Sequence, residues 1–304
     1  MPPSHDPLKI CVATAELAPL AKTGGLADVC GALSAFLHRN GHDVRVLMPR
    51  YASIDTTRLT IVPVDHLQEV PIRFASGGAA WSVDTAVLPG TSLGIYLLRC
   101  GDFYERGAIY TSDPDEHLRF GVLSRAAIEM CQRMGFRPDI FHCHDWHTSL
   151  VPLYLKSVYA WDRLFARTRT VLTLHNIGYQ GVFPAGVLGD LGLDVAAHDF
   201  PAEDLGQGRI NFLRTGILHA DALTTVSPTY AREIQGDELG MGLQYSLRRR
   251  RHALSGILNG VDYGEWNPET DTLIPRNYSR DDLRGKAVCK SELMTETGLA
   301  ADRT

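Results

Sequence analysis

Four short stretches of this chain carry side chains that do chemistry, and each follows an apolar run. The first is Lys22-Thr23-Gly24-Gly25-Leu26-Ala27-Asp28. Two glycines let a backbone turn sharply, and the helical pattern that begins there aims its unpaired N–H groups and positive dipole end at the same space. With Lys22 beside them, these residues read as a cradle for a phosphate or a sugar nucleotide, or as a plain glycine turn with a solvated lysine. The loop is neither GxxxxGK[ST] nor GxGxxG. The second stretch is His142-Cys143-His144-Asp145-Trp146-His147. Three histidines, a cysteine and an aspartate suggest a metal site. In a strand, however, His142 and His144 share one face while Cys143 takes the other. No CxxC partner exists, so the stretch reads as a sheet-end cluster of hydrogen-bonding groups. The third, His175-Asn176, follows another strand pattern and faces a cleft or serves as a satisfied structural pair. The fourth, Asn259-Gly260-Val261-Asp262, is a turn that could present Asn259 to that cleft.

Other polar groups read as structural. Ser227-Pro228 has the form of an N-cap with proline at the first helical position. Arg248 to Arg251 reads as a solvated helix face whose stems cover apolar surface. Asp113, Asp115 and Glu116, beside Tyr110, resemble a paired-carboxylate site but sit where a helix cap belongs.

The elements that must position these residues alternate. Ile10 to Ala15 is a continuous apolar run, as in a strand buried on both faces. A loop over Pro19 to Gly25 leads to helical spacing from Leu26 through Val29, Cys30, Leu33, Phe36 and Leu37. That helix is closed by Gly41 and followed by a strand over Val44 to Met48. From about Leu59 to Arg99 the pattern alternates with period two, broken by prolines and glycines, which predicts antiparallel hairpins at a sheet edge. Further pairs follow: helix Glu116 to Met134 with strand Ile140 to Cys143, and helix Ser149 to Tyr159 with strand Val171 to Leu174. Then come helix Ile210 to His219 with strand Ala222 to Val226, and helix Met241 to Ala253 with strand Ile257 to Leu258. This predicts a Rossmann-like, doubly wound α/β sheet, mostly parallel, with ligands at the carboxyl ends of the strands.

Length and composition bound the function. The chain has 304 residues, 44% hydrophobic and 21% charged, with a formal net charge of −5. That is enough for a large buried core. It is the wrong balance for wrapping nucleic acid, which needs broad phosphate neutralisation. Six cysteines without a CxxC pair predict reduced, mostly buried thiols. Neither a signal peptide pattern nor an apolar run near the ~20 residues of a membrane span is visible, which predicts a soluble, cytoplasmic protein without a membrane partner.

Five ordered motifs carry a resemblance: AELAPLAKTGGLADV (15–29), RPDIFHCHDWHTSLVP (137–152), LTLHNIGYQGVF (172–183), INFLRTGILHADALTTVSPTYAREI (210–234) and GILNGVDYGEWNPETD (256–271). From about residue 8 onward the chain resembles the N-terminal half of the bacterial glycogen synthases and plant starch synthases. The resemblance implies the first half of a two-domain GT-B glycosyltransferase. Such an enzyme moves glucose from ADP-glucose to the 4-hydroxyl of an α-1,4-glucan with retention, without a metal or other cofactor. By resemblance, Lys22, Thr23, Gly24 and Gly25 serve the donor phosphates and the groups around them, and Asp28 orients the loop or the sugar. Tyr104, in FYER, corresponds to a tyrosine lining the sugar site. Asp145 and His175 correspond to glucose-side residues, with His175 on the 6-hydroxyl and its carbonyl near the anomeric carbon. Asn176 and Asn259 join the cleft.

The same resemblance implies a domain over 1–262 and a linker with helix over 263–304, with a helical stretch over Lys290 to Thr304. These would lead to a C-terminal nucleotide-binding domain that the sequence lacks. An Arg/Lys pair and a Glu on that domain would complete the cleft. The alternative is a catalytically inactive glucan-binding or regulatory module; a distant phosphorylase or other retaining glycosyltransferase is a third.

Overall fold

The computed structural model describes residues 6–299 except Glu265. The chain divides into two compact units, Met1–Leu258 and Asn259–Thr304. The division falls four residues before the boundary expected at 262, and Asn259 therefore belongs to the second unit.

In chain order the strands of the first unit are β1 (Lys9–Ala13), β2 (Asp43–Pro49), β3 (Val62–Pro63), β4 (Val70–Phe74), β5 (Gly77–Val87), β6 (Gly94–Arg99), β7 (Ile140–His144), β8 (Arg169–Leu174), β9 (Val182–Pro184), β10 (Arg209–Asn211), β11 (Ala222–Thr225) and β12 (Leu254–Gly256). The helices are α1 (Gly25–Arg39), α2 (Gly101–Tyr104), α3 (Glu116–Arg133), α4 (Asp145–Thr148), α5 (Val151–Lys156), α6 (Leu188–Leu191), α7 (Ala202–Gly206), α8 (Phe212–His219), α9 (Pro228–Glu233) and α10 (Gln244–Arg249). Among the described residues, the main sheet runs β12-β11-β8-β7-β1-β2-β6-β5-β3, with β4 on β5. From β12 to β6 every pairing is parallel; β5 joins antiparallel to β6, β3 and β4. The predicted doubly wound sheet with hairpins at one edge is what the chain builds.

The chain leaves β1 through α1 to β2 on one side, and returns through α3 to β7 on the other. The strand order therefore reverses between β1 and β7, and a crevice opens beyond their carboxyl ends. The central strands carry the apolar runs the sequence showed. Ile10, Val12, Phe141, Cys143, Leu172 and Leu174 are all buried. Helix α1 packs through Leu26, Ala27, Cys30, Gly31, Ser34 and Ala35, while Phe36 points outward. Gly31 is required there, because a Cβ would stand 2.7 Å from the carbonyl oxygen of Ala18 in the loop after β1.

Several predicted boundaries move. The helix expected over Met241 to Ala253 is only α10 and a following 3-10 turn. Met241 and Gly242 both adopt positive φ, which stops an α-helix. The last strand is Leu254–Gly256, not Ile257 to Leu258, whose side chains are exposed. Arg250 is not on a solvated face: it donates to the carbonyls of Leu218 (2.6 Å) and Ala220 (2.5 Å) at the carboxyl end of α8, where a cation is favoured. Asp113 and Asp115 do not cap α3; both bind Arg106, and the buried Glu116 binds Arg119. Ser227 does cap α9, accepting from the Tyr230 N–H at 2.9 Å. No cysteine is in a disulfide among the described residues, and five of the six are buried. No described helix is long and apolar enough to cross a membrane.

Among its described residues the second unit holds one helix, α11 (Arg284–Thr297), entered through loops that Asn277 ties to the carbonyls of Pro268 and Asp271. It begins before the predicted start at Lys290 and ends at Gly298 with φ +67°. The predicted remainder, residues 300–304, lies outside the described residues.

Candidate active site

The crevice between β1 and β7 is built around a residue the motifs contained but did not single out. Thr14, just past β1, donates to the Glu16 carbonyl at 2.8 Å and turns the chain there. The Glu16 carboxylate, 3% exposed, then accepts from the Thr23 N–H (2.5 Å), the Thr23 hydroxyl (2.7 Å), the Gly24 N–H (3.3 Å) and the Tyr110 hydroxyl (2.5 Å). Glu16 thus fixes the glycine loop. It also takes two of the N–H groups that the sequence offered to a phosphate. The N–H groups from Gly25 onward, in the first turn of α1, remain directed at the open end of the helix. Lys22 pairs with Asp28 at 2.8 Å, both about half exposed, so its charge is held beside that helix end.

Across the crevice, β7 gives way to α4 at Asp145, whose φ of +52° is strained for a residue with a side chain. The conformation folds its carboxylate back under the next strand end. Asp145 Oδ1 accepts from the N–H of His175 (2.7 Å) and of Asn176 (3.4 Å). Burial pushes the Asp145 carboxyl up to about 7; the two N–H groups counter this and the Glu16 charge adds to it. His175 Nε2 lies 3.0 Å from His144 Nδ1. Burial holds His175 down at about 4, against an upward pull from Glu16. Glu16 therefore stands close enough to act on both Asp145 and His175. Glu16, held by Thr23 and Gly24, thus links the glycine loop through its charge to Asp145 and His175, and Asn176 shares the Asp145 carboxylate.

The side walls are aromatic. Tyr110 stacks on His147 with ring centres 4.7 Å apart, and burial holds that imidazole down at about 3. His147 Nδ1 is buried without a hydrogen-bond partner among the described residues. Gly181 comes so close to Trp146 that a Cβ would stand 2.3 Å from the ring, so only glycine lets the strand-end loop close over it. Asn176 turns inward on its own loop, accepting from the Gly178 N–H at 2.9 Å.

Tyr104 departs from the expected role. Its side chain is fully buried and its hydroxyl donates to the Arg119 carbonyl at 2.7 Å, so it lines no opening. The tyrosine at the crevice is Tyr110. Arg119, also fully buried, holds the loop that carries it by donating to the carbonyls of Phe103 (2.6 Å) and Ile109 (3.1 Å). The signal for Glu16 was a lone carboxylate ending an apolar strand; for Tyr110 it was only the acidic patch beside it. His142 and His144 do not converge on a metal. Their ring centres lie 4.2 Å apart with the planes tilted by 33°, His142 bonds Thr173, and among the described residues no three potential ligands come together.

A doubly wound, mainly parallel sheet with a polar crevice at its reversal point defines an α/β domain of the Rossmann-like class. Residues 9–249 match the family described as the starch synthase catalytic domain, and the chain belongs to that family of GT-B glycosyltransferases. It is 40% identical to the glycogen synthase of Syntrophotalea carbinolica over 97% of this chain and 61% of that protein. It is 44% identical to glycogen synthase 2 of Geobacter metallireducens over 97% and 60%. The catalytic domain of starch synthase IV from Arabidopsis thaliana, bound to ADP and acarbose, superposes with a TM-score of 0.81 at 34% identity. It covers 98% of this chain and 61% of that one. The chain thus spans about three fifths of the length of the relatives it matches.

Proposed function

We propose that this chain supplies one wall of a site that moves glucose from ADP-glucose to the 4-hydroxyl of an α-1,4-glucan, retaining the α configuration. The observation that carries the reading is Glu16, whose carboxylate holds Thr23 and Gly24 of the glycine loop and whose charge acts on Asp145 and His175. The relatives' names, glycogen synthase, and the ADP and acarbose bound by the Arabidopsis enzyme support the donor and acceptor classes.

The chemistry follows from charge. As the bond from the anomeric carbon to the β-phosphate breaks, negative charge grows on the phosphate and positive character on the sugar ring. Lys22 and the first-turn N–H groups of α1 meet the former. The strand-end dipoles around His175 and Asp145 meet the latter, with the uncharged His175 ring on a sugar hydroxyl. In this reading Tyr110 and Glu16, bonded to each other beside the glycine loop, serve the acceptor hydroxyl. The remaining length found in the relatives would add contacts to the nucleotide. Cationic side chains, not a metal, balance the diphosphate in this reading. The five buried cysteines, none of them in a disulfide among the described residues, suit a reducing cytoplasm.

The test is transfer of labelled glucose from ADP-glucose to glycogen by a protein carrying this chain at the relatives' full length. Transfer that persists in a chelator supports the reading. No transfer despite normal glucan binding overturns it, and loss on chelation overturns its metal-free part.

A further inference from the structure

His144 takes no part in the mechanism above, yet it is more deeply set than the histidine it touches. It is 1% exposed. Its backbone is locked on both sides: its N–H donates to Thr148 Oγ1 at 2.7 Å, and the Thr148 hydroxyl donates to its carbonyl at 3.0 Å. Its ring lies over His142 with centres 4.2 Å apart. His142 is fixed in turn, with Nε2 2.7 Å from Thr173 Oγ1 and that hydroxyl 2.6 Å from Thr224 Oγ1. A polar row thus crosses β7, β8 and β11 near their carboxyl ends, with His175 at its end beside the crevice.

Two neutral imidazoles sharing a contact must differ in protonation at the touching atoms, one nitrogen donating and the other accepting. We propose that His144 is a positioning residue: its Nδ1, 3.0 Å from His175 Nε2, selects the tautomer and ring orientation of His175, and so decides whether the other His175 nitrogen meets the sugar as donor or acceptor. Burial supports this by keeping both rings uncharged at neutral pH, with His175 at about 4 and His144 well below its usual value. The outer shell acts here as second partners act on metal-bound histidines, fixing the tautomer through the far nitrogen. The inference rests on the reading that His175 contacts the donor glucose.

The test uses the full chain labelled with ¹⁵N-histidine, with His175 assigned by its loss in His175→Gln. In the wild type, long-range ¹H–¹⁵N spectra show one protonated and one unprotonated nitrogen on His175, with a ¹⁵N–¹⁵N coupling across the contact to His144. His144→Phe keeps the stacked ring but removes the nitrogen; both His175 signals then move to averaged, intermediate positions. His144→Asn, which retains a polar atom near the δ position, restores a single tautomer. A His175 that keeps one fixed tautomer in a folded His144→Phe overturns the proposal. Should that variant fail to fold, absence of the coupling in the wild type overturns it. ADP-glucose added to the wild type tests the function reading separately. Loss of any His175 response removes His175 from the donor site while leaving the tautomer result intact.

Discussion

The two ends of the parallel sheet treat their carboxylates in opposite ways. At the amino end, Asp221 accepts from the Thr170 N–H at 2.8 Å and the Thr170 hydroxyl at 3.0 Å, and Lys156 and Arg169 stand within 3.4 and 3.7 Å. Burial pushes its carboxyl up, but the N–H and the lysine outweigh it and hold the group below the usual carboxylate range. At the carboxyl end, Asp145 is more deeply buried and receives only two backbone N–H groups, so its carboxyl rises to about 7. The fold saturates the carboxylate that holds strands together. It leaves the one at the crevice short of positive charge, as groups at functional sites often are.

The largest test of that contrast is catalytic. In a protein of the relatives' full length, Lys22→Ala and His175→Ala each lower transfer about 10²-fold or more, the scale for losing one aimed group in a preorganised site. Thermal unfolding stays near the wild type, because Lys22 is half exposed. Wild-type rates in Lys22→Ala would remove that loop from the phosphate role. An equal loss from a neutral change at Asp221 would abolish the contrast between the sheet ends.

The second test reads stability against pH. Unfolded, Asp145 titrates at about 3.9; folded, at about 7. The folded state therefore binds the extra proton, and stability falls as pH climbs through that window. Asp145→Asn removes the slope. The two proteins match near pH 4, and the variant is more stable above pH 7 by up to about 4 kcal/mol, less any contact the amide fails to make. Asp221 has the opposite sign: its contribution is present above the unfolded value and lost as pH falls. Asp221→Asn is thus destabilised by about 1–3 kcal/mol at neutral pH. Urea midpoints at pH 5 and pH 8 check both. A destabilised Asp145→Asn at pH 8 would show that the carboxylate is held by more than its two N–H groups.

How much of this was legible follows from how local each signal is. The buried parallel strands announced themselves because both faces are apolar, and glycine loops after strands pointed to the crevice. Lys22, Asp145 and His175 stood out for that reason. Glu16 and Tyr110 did not, because their contact joins residues 94 apart and exists only once α3 returns the chain to β7. The histidine cluster showed its residue types but not its purpose. The contact of His142 with His144 comes from strand pleat, whereas the pairing with His175 comes from the β7–β8 register. Arg250 looked solvent-facing by periodicity, until the short α10 rotated it onto the end of α8.

The smallest effect separates two tyrosines that the sequence places six residues apart. Tyr104 is a core residue whose hydroxyl satisfies the Arg119 carbonyl, so Tyr104→Phe costs about 1 kcal/mol of stability and leaves substrate affinity unchanged. Tyr110 donates to Glu16 at the crevice, so Tyr110→Phe removes one of the four donors that hold that carboxylate. Glu16 then keeps the loop through Thr23 and Gly24, and the variant folds as the wild type does within about 1 kcal/mol. On the proposed reading of the site its loss shows in glucan KM, which rises severalfold while the KM for ADP-glucose holds, because Tyr110 holds Glu16 and stacks on His147 whereas Lys22 carries the charge offered to the phosphates. A Tyr104→Phe variant with the larger KM change would return the sugar-lining role to Tyr104 and require the segment from Phe103 to Thr111 to rearrange on binding.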